Sequence, residues 1–398
     1  MMGAKTTFRA LRSAISASCE SFARGVDRDH VSQQLHADVT VSSRYHRHIT
    51  LIVIQFRRRA TSTATIRGTR LFLSLPTSLS IPRLQDRTDD PVRPEPENAI
   101  PGIWLAAGAL ISLVALTALM AWEQLRIDPW AASTLSLSAV AALAGVVLYT
   151  RRRPDTRAQQ IARDISEYVG LFALICLMGA TATYPLSAGS HGFVDPWLQR
   201  TDALLHFNWL ALYDLVAAHR SLQLLGTIAY QSIYVTPALL LGYFAWANRR
   251  AEARLFIVTF WLAAVLTLLL FPFIPAEGPL AFLWRGPIPY MPESALYQAS
   301  LIPELRQHAL HHVDLGALRG LVSAPSFHTA SAVLYIAASW SIRPLRWPLL
   351  ALNLAMLLST PVEGTHYLTD MIVGAVVAIV ALIIVAQVNA ALTLKDDG

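Results

Sequence analysis

Gly364-Thr365-His366-Tyr367-Leu368-Thr369-Asp370 runs directly into an uncharged apolar stretch, residues 371–388. With its polar lead-in, this is close to the roughly 20 residues a helix needs to cross a bilayer, where every backbone polar group must be satisfied inside the segment. His366 and Asp370 stand four apart, so a helix through them puts both side chains on one face and within contact range. A carboxylate placed there fixes the imidazole tautomer and stabilises its cation, which makes His366 a candidate nucleophile. An Asp inside an apolar span costs about 2.5 to 3.5 kcal/mol at mid-membrane on insertion scales and less near the interface, so Asp370 is expected to have a partner and a role. Tyr367, between them, reads as an interface anchor.

Outward from this segment the chain keeps the same character. It is 54% hydrophobic and only 15% charged, with a mean hydropathy of +0.43, whereas soluble domains average nearer 25% charged. Apolar runs between charged or Pro/Gly-rich breaks give eight candidate spans: 100–122, 130–150, 166–187, 222–247, 255–275, 325–342, 347–361 and 366–388. The expected fold is an all-α polytopic transmembrane bundle. Residues 1–98 form a tail, 99–165 hold two additional spans, and 166–398 form the main membrane domain.

Arginine placement orients the spans, because short loops rich in Lys and Arg stay cytoplasmic. Arg151 to Arg153 with Arg157 and Arg163, then Arg249, Arg250 and Arg254, then Arg343 and Arg346, all follow even-numbered spans. The basic tail and Lys395 fall on that same side. The long connections 189–221 and 276–324 are therefore expected outside, and a bacterial inner membrane suits this arrangement. In the first of them Trp197, Leu204, Leu205, Trp209, Leu210 and Tyr213 alternate with Asp202, His206 and Asp214, which fits a helix in the interface or an amphipathic cover over the bundle.

The formal charge of +6 lies entirely in the tail, where residues 1–98 carry 15 Lys and Arg against 9 Asp and Glu. Without sustained periodicity, runs such as Arg57-Arg58-Arg59 read as a disordered tail rather than a nucleic-acid surface. The segment 49–56 is too short to span, and no apolar core of signal-peptide length opens the chain. A start codon assigned too far upstream would leave the same tail. Cys19 and Cys176 sit in unlike surroundings, which argues against a disulfide framework.

A second short motif, Pro325-Ser326-Phe327-His328, opens the sixth span. Pro325 suits the opening position of a helix, leaving N–H groups at Ser326 and beyond to hold an anion, with His328 beside them. One bound group touched by both histidines would require His328, His366 and Asp370 to converge despite their separation in sequence.

Pro-Ser-x-His at one helix head and Gly-x-His-Tyr-x-x-Asp at a later one resemble the second and third signatures of the type-2 phosphatidic acid phosphatase superfamily, over about residues 193–388. The runs Phe271-Pro272, Pro275-Ala276-Glu277-Gly278-Pro279 and Ser359-Thr360-Pro361 most resemble the branch with inositolphosphorylceramide synthases. The resemblance implies a six-helix phosphatase-type core acting on a lipid phosphate. His366 attacks phosphorus to give a phosphohistidine, Asp370 orients it, and His328 protonates the leaving oxygen. Water or an alcohol acceptor then completes turnover. Ser326 and nearby N–H groups hold phosphate oxygens, and no metal or other cofactor is implied.

Two cations of the commoner pattern are missing. The first signature, a Lys followed by Arg-Pro, is absent, and the usual Ser-Arg before the third motif reads Ser359-Thr360. Replacements are sought in the outer loops among Arg306, Arg319 and Arg285, with Arg306 favoured because Pro303-Glu304-Leu305-Arg306 resembles a recurring stretch of the same branch. A competing constellation is His308, His311 and His312 with Asp314, whose spacing could present metal ligands. Two further readings are a transporter lined by Gln231, Asn353 and Asp370, and a scaffold without activity.

Overall fold

The computed structural model describes residues 100–127 and 156–396. The expected tail and the expected span at 130–150 lie outside the described residues. In chain order the helices are α1 (Gly102–Trp122), α2 (Arg157–Ala188), α3 (Asp195–Leu204), α4 (Trp209–Ala218), α5 (Arg220–Trp246) and α6 (Arg250–Leu270). They continue with α7 (Pro279–Leu283), α8 (Tyr297–Arg306), α9 (Phe327–Trp340), α10 (Arg346–Glu363) and α11 (Leu368–Asp396). Short 3-10 turns occupy Phe271–Phe273 and Leu315–Ala317, and β1 (Arg126–Ile127) pairs in parallel with β2 (His312–Val313).

Five described helices are long and apolar enough to cross a membrane: α1, α2, α5, α6 with its 3-10 extension, and α11. At 1.5 Å per residue the 14 residues of α9 rise only about 21 Å, short of the ~30 Å hydrocarbon core. Helix α2 begins well before the expected boundary. Thr156 and Gln159 close a capping box at its N-terminus, which satisfies two orphan N–H groups. Arg157 and Arg163, expected in a loop, are instead on the helix, and Arg157 is buried, its Nη2 donating to the Trp246 carbonyl at 2.6 Å.

The packing is a closed ring in which α5 touches α10, α10 touches α9, α9 touches α11, α11 touches α6, α6 touches α2, and α2 returns to α5. Helix α9 also reaches α5 and α6, so it is the hub, while α1 lies outside against α2. Small residues explain why α9 can be approached from so many sides. Ala330, Ser331 and Ala332 are fully buried, and side chains of this size let helix backbones come close, where packing and hydrogen bonds rather than hydrophobicity drive association in lipid. The main core is then filled by Phe244, Phe256, Phe260 and Tyr335 around this hub.

The closest approach is at Gly374 of α11, where a Cβ would lie 2.2 Å from the Ser326 carbonyl oxygen. No other residue fits. The contact is reinforced by the Ser326 N–H, which donates to the Asp370 carbonyl at 3.1 Å.

The connection 189–221 folds into α3 and α4 as a cover with two distinct faces. Asp195, Leu198, Asp202, Trp209 and Tyr213 point inward, while Trp197, Leu204 and Leu205 are exposed. The Trp209 indole N–H donates to the Pro361 carbonyl at 2.7 Å, and the Tyr213 hydroxyl donates to the Tyr290 carbonyl at 2.6 Å. Two aspartates pin this cover to the bundle. Asp202 accepts from the N–H groups of Leu368 and Thr369 and from the Thr369 hydroxyl, satisfying donors left open at the start of α11. Asp195 accepts from the N–H groups of Glu277 and Gly278 and from the Tyr367 hydroxyl, all at 3.0 Å. Tyr367 is thus a fully buried pin rather than the expected interface anchor.

Candidate active site

The heads of α9 and α11 bring the two histidine motifs together. His328 is on the first turn of α9, His366 lies two residues before α11, and their ring centroids are 6.3 Å apart. His366 Nδ1 donates to Asp370 Oδ1 at 2.9 Å, and Asp370 Oδ2 accepts from the Tyr367 N–H at 2.9 Å. Both carboxylate oxygens are therefore used, and Asp370 is fully buried. With its proton on Nδ1, His366 keeps a lone pair on Nε2, the form in which an imidazole can attack phosphorus.

His328 is held differently. Its ring stacks on Tyr230 of α5 with centroids 4.1 Å apart and planes at 14°, and its Nδ1 lies 3.3 Å from the Tyr230 hydroxyl. That contact leaves Nε2 for substrate. Tyr230 carries no signal in sequence, being one aromatic residue in an apolar span.

A cavity of about 490 Å³ opens at this pair. Its polar end carries His328, His366, Tyr230, Ser294, Gln298 and Arg319. From there it follows one face of α2 from Thr183 to Phe172, about 16 Å at helical rise, between that helix and α5, α6 and α9. A polar mouth with an apolar shaft suits an amphiphile better than a free ion.

The three arginines singled out from sequence lie in different places. Arg319 lines the cavity, and its guanidinium stacks on the Tyr297 ring with Cζ 4.3 Å from the centroid. Among the described residues no carboxylate pairs with it. Arg306, favoured in sequence, is instead engaged outside the cavity lining. Its guanidinium donates to Ser190 Oγ at 2.9 and 3.2 Å and to the Gly192 carbonyl at 2.6 Å, and it stacks on Phe193. Partial burial there lowers its pKa. Arg285 is exposed and donates to the carbonyls of Ala281 and Trp284 on its own turn.

Ser326 also differs from expectation. It is fully buried as the N-cap of α9, its Oγ accepting from the Thr329 N–H at 3.4 Å and from the Thr329 hydroxyl at 3.2 Å, and its own N–H is committed to Asp370. Pro325 precedes the cap rather than opening the helix. The competing histidines are dispersed: His312 is in β2, His308 follows α8, and Asp314 caps a 3-10 turn. Among the described residues no three His, Cys, Asp or Glu side chains gather into a metal-holding group. Gln231 lines the cavity, whereas Asn353 is buried and donates to the Leu349 carbonyl within α10.

Four acidic or aromatic supports went unrecognised in sequence: Tyr230, Asp195, Glu363 and the capping role of Asp202. Only the aspartates had a signal. Asp195 and Asp202 are seven apart, hence two turns apart on one helix face, in a segment otherwise read as a surface cover.

No curated protein and no solved structure matches the chain. A family model does match, and residues 196–384, from the first turn of the α3 cover to the middle of α11, match the PAP2 superfamily.

Proposed function

We propose that this chain is a membrane phosphoesterase or phosphotransferase of the PAP2 superfamily that acts on a lipid phosphate through a phosphohistidine. The observation that carries this reading is the convergence of His328, the His366–Asp370 pair and Arg319 on the polar mouth of one apolar-walled cavity. In the first half-reaction His366 Nε2 forms a bond to phosphorus while the bond from phosphorus to the leaving oxygen breaks. His328 gives its proton to that oxygen, and Asp370 stabilises the imidazolium-like phosphohistidine. In the second, water or an alcohol attacks phosphorus, His328 takes back a proton, and the N–P bond breaks.

Arg319 is the cation of this reading. A phosphoryl group in transfer spreads charge over its equatorial oxygens, and a guanidinium already fixed by stacking on Tyr297 offers several donors without reorganising. The apolar shaft along α2 takes the lipid tail. The inositolphosphorylceramide synthase-like branch, and hence transfer to an alcohol, rests on the sequence stretches around Pro275 and Ser359. The arginine-rich end of the bundle faces the cytoplasm by the positive-inside rule, so the site opens to the other side.

The test is to trap the intermediate. Purified protein in lipid–detergent micelles, mixed with phosphatidic acid radiolabelled at phosphorus and quenched in alkali, should carry label on the peptide containing His366. The label should disappear in His366→Ala and form far more slowly in His328→Ala, which lacks the proton donor for the leaving oxygen. Wild-type protein that releases phosphate with no label at His366 would overturn the mechanism. Label partitioning into an added alcohol rather than phosphate separates transferase from phosphatase.

A further inference from the structure

Between α10 and α11 the chain reverses within four residues, and it does so through an unfavourable conformation. Thr365, directly before His366, has φ +49°. A β-branched residue in the left-handed region is a steric outlier, and such a conformation persists only where its surroundings over-determine it.

Those surroundings are specific. On one side Thr365 packs against Gly278, where a Cβ would lie 2.9 Å from the Thr365 carbonyl oxygen and 3.1 Å from its Oγ1; Gly278 itself has φ +93°. On the other side Thr365 Oγ1 is 3.1 Å from Ser294 Oγ. Ser294 is in turn fixed by the neighbouring Glu363, whose carbonyl accepts the Ser294 N–H at 3.0 Å.

The Glu363 carboxylate ties down the rest of that segment. It is 1% exposed and accepts from the Tyr290 hydroxyl at 2.7 and 2.9 Å, from the Glu293 N–H at 3.4 Å and from the Thr227 hydroxyl at 3.5 Å. It is not among the residues lining the cavity, although Glu293, Ser294 and Gly364 are. A buried carboxylate left without partners is costly, so four converging contacts from two other parts of the chain fix one geometry.

We infer that Glu363 is a positioning residue, the centre of a clamp that grips residues 290–294, holds the strained Thr365 turn, and thereby aims His366 at phosphorus. This rests on His366 being the nucleophile, but the clamp itself is a statement about geometry that can be judged separately. It also means that the nucleophile is aimed by the same segment that forms the cavity mouth.

The experiment compares Glu363→Gln, Glu363→Ala and Tyr290→Phe with wild type in two ways. The first is hydrogen–deuterium exchange in micelles. Peptides covering 289–295 and 362–367 should both exchange faster in Glu363→Ala, although they are far apart in sequence, while peptides in α2 and α6 stay unchanged. The second is steady-state turnover of p-nitrophenyl phosphate, a soluble monoester with no tail to bind. Misaiming a nucleophile costs up to about 100-fold, so kcat should fall about 10- to 100-fold in Glu363→Ala, with KM within about threefold. Glu363→Gln, which keeps the volume and one acceptor oxygen, should recover part of the loss. In a Thr365→Gly background, where the turn carries no strain, Glu363→Ala should cost markedly less than in wild type.

Equal costs in both backgrounds, or a lowered unfolding temperature with unchanged kcat, would overturn the clamp and leave Glu363 a merely structural residue. If Glu363→Ala does not fold, Tyr290→Phe decides by the same exchange and kcat criteria. If wild type shows no turnover and no label at His366, the proposed function fails while the exchange arm still judges the clamp.

Discussion

At the end of the bundle where α2, α5 and α6 meet, a buried carboxylate, Asp164, and a partly buried one, Glu167, face arginines. Glu167 holds Arg250 at 2.5 Å and Arg254 at 2.6 Å, and Asp164 pairs with Arg163 at 2.9 Å. At the opposite end the pattern changes. Asp195, Asp202 and Glu363 are fully buried, yet among the described residues none pairs with an arginine or lysine; each accepts from backbone N–H groups and hydroxyls instead. Both arrangements offset buried charge, but by different means. Ion pairing at the first end consumes the cations. Dipole pairing at the second leaves His366 Nε2, His328 Nε2 and Arg319 uncommitted, which is what a site for a transient phosphoryl group needs.

The sharpest way to break this comparison is at the proposed catalytic pair, His366 and Asp370. His366→Ala should abolish phosphate release from vesicle-borne phosphatidic acid, and Asp370→Asn should lower kcat by about 1000- to 10,000-fold, as loss of a tautomer-fixing carboxylate does elsewhere. Retained turnover in either would remove the site from this end. Next in size is Arg319→Ala, expected to lower kcat/KM by about 100- to 1000-fold. Arg306→Ala, which breaks only the contacts to Ser190, Gly192 and Phe193, should stay within about fivefold of wild type. The reverse ranking would return the cation role to Arg306.

A smaller effect on turnover, but a large one on stability, is expected at the paired end. Glu167→Ala removes the carboxylate shared by two mostly buried arginines, leaving Arg250 beside Asp164 at 3.8 Å and Arg254 on the Ile100 carbonyl; breaking a buried pair costs about 3 to 5 kcal/mol, reduced here by those remaining contacts and because Glu167 is 20% exposed. Denaturant unfolding should show the loss while kcat of the folded fraction stays unchanged. The smallest effect is in pH dependence. Burial raises the Asp195 pKa, partly offset by its hydrogen bonds, and burial with the nearby Asp195 charge raises that of Glu277. Groups raised in the fold contribute stability below their unfolded values, about 3.9 and 4.3, and lose it as pH rises through the higher folded ones. The unfolding temperature of wild type relative to Asp195→Asn should therefore rise as pH is lowered from about 7 to 4, and a difference independent of pH would refute the shift.

Much of the membrane architecture was legible because lipid imposes long apolar runs: α1, α5, α6 and α11 lie close to the residues expected of them. Helix α2 was misjudged at its start because Arg157 and Arg163 look like loop residues until Asp164 and the end of α5 are seen beside them. The His366–Asp370 contact was legible from spacing alone. Arg319 could not be told from Arg306, since nothing local distinguishes an arginine stacked at a cavity from one tied to a loop. Tyr230 and Glu363 act through contacts with residues 98 and 73 positions away, and no periodicity records such distances.

The backbone bond between Ser326 and Asp370, with Gly374 pressed on the Ser326 carbonyl, has a dynamic consequence. It fastens the heads of α9 and α11 to each other without intervening side chains, so the backbones that carry the two histidines should shift together. On the proposed reading, the spacing of the two imidazoles is then set by backbone contacts between the helix heads rather than by the substrate.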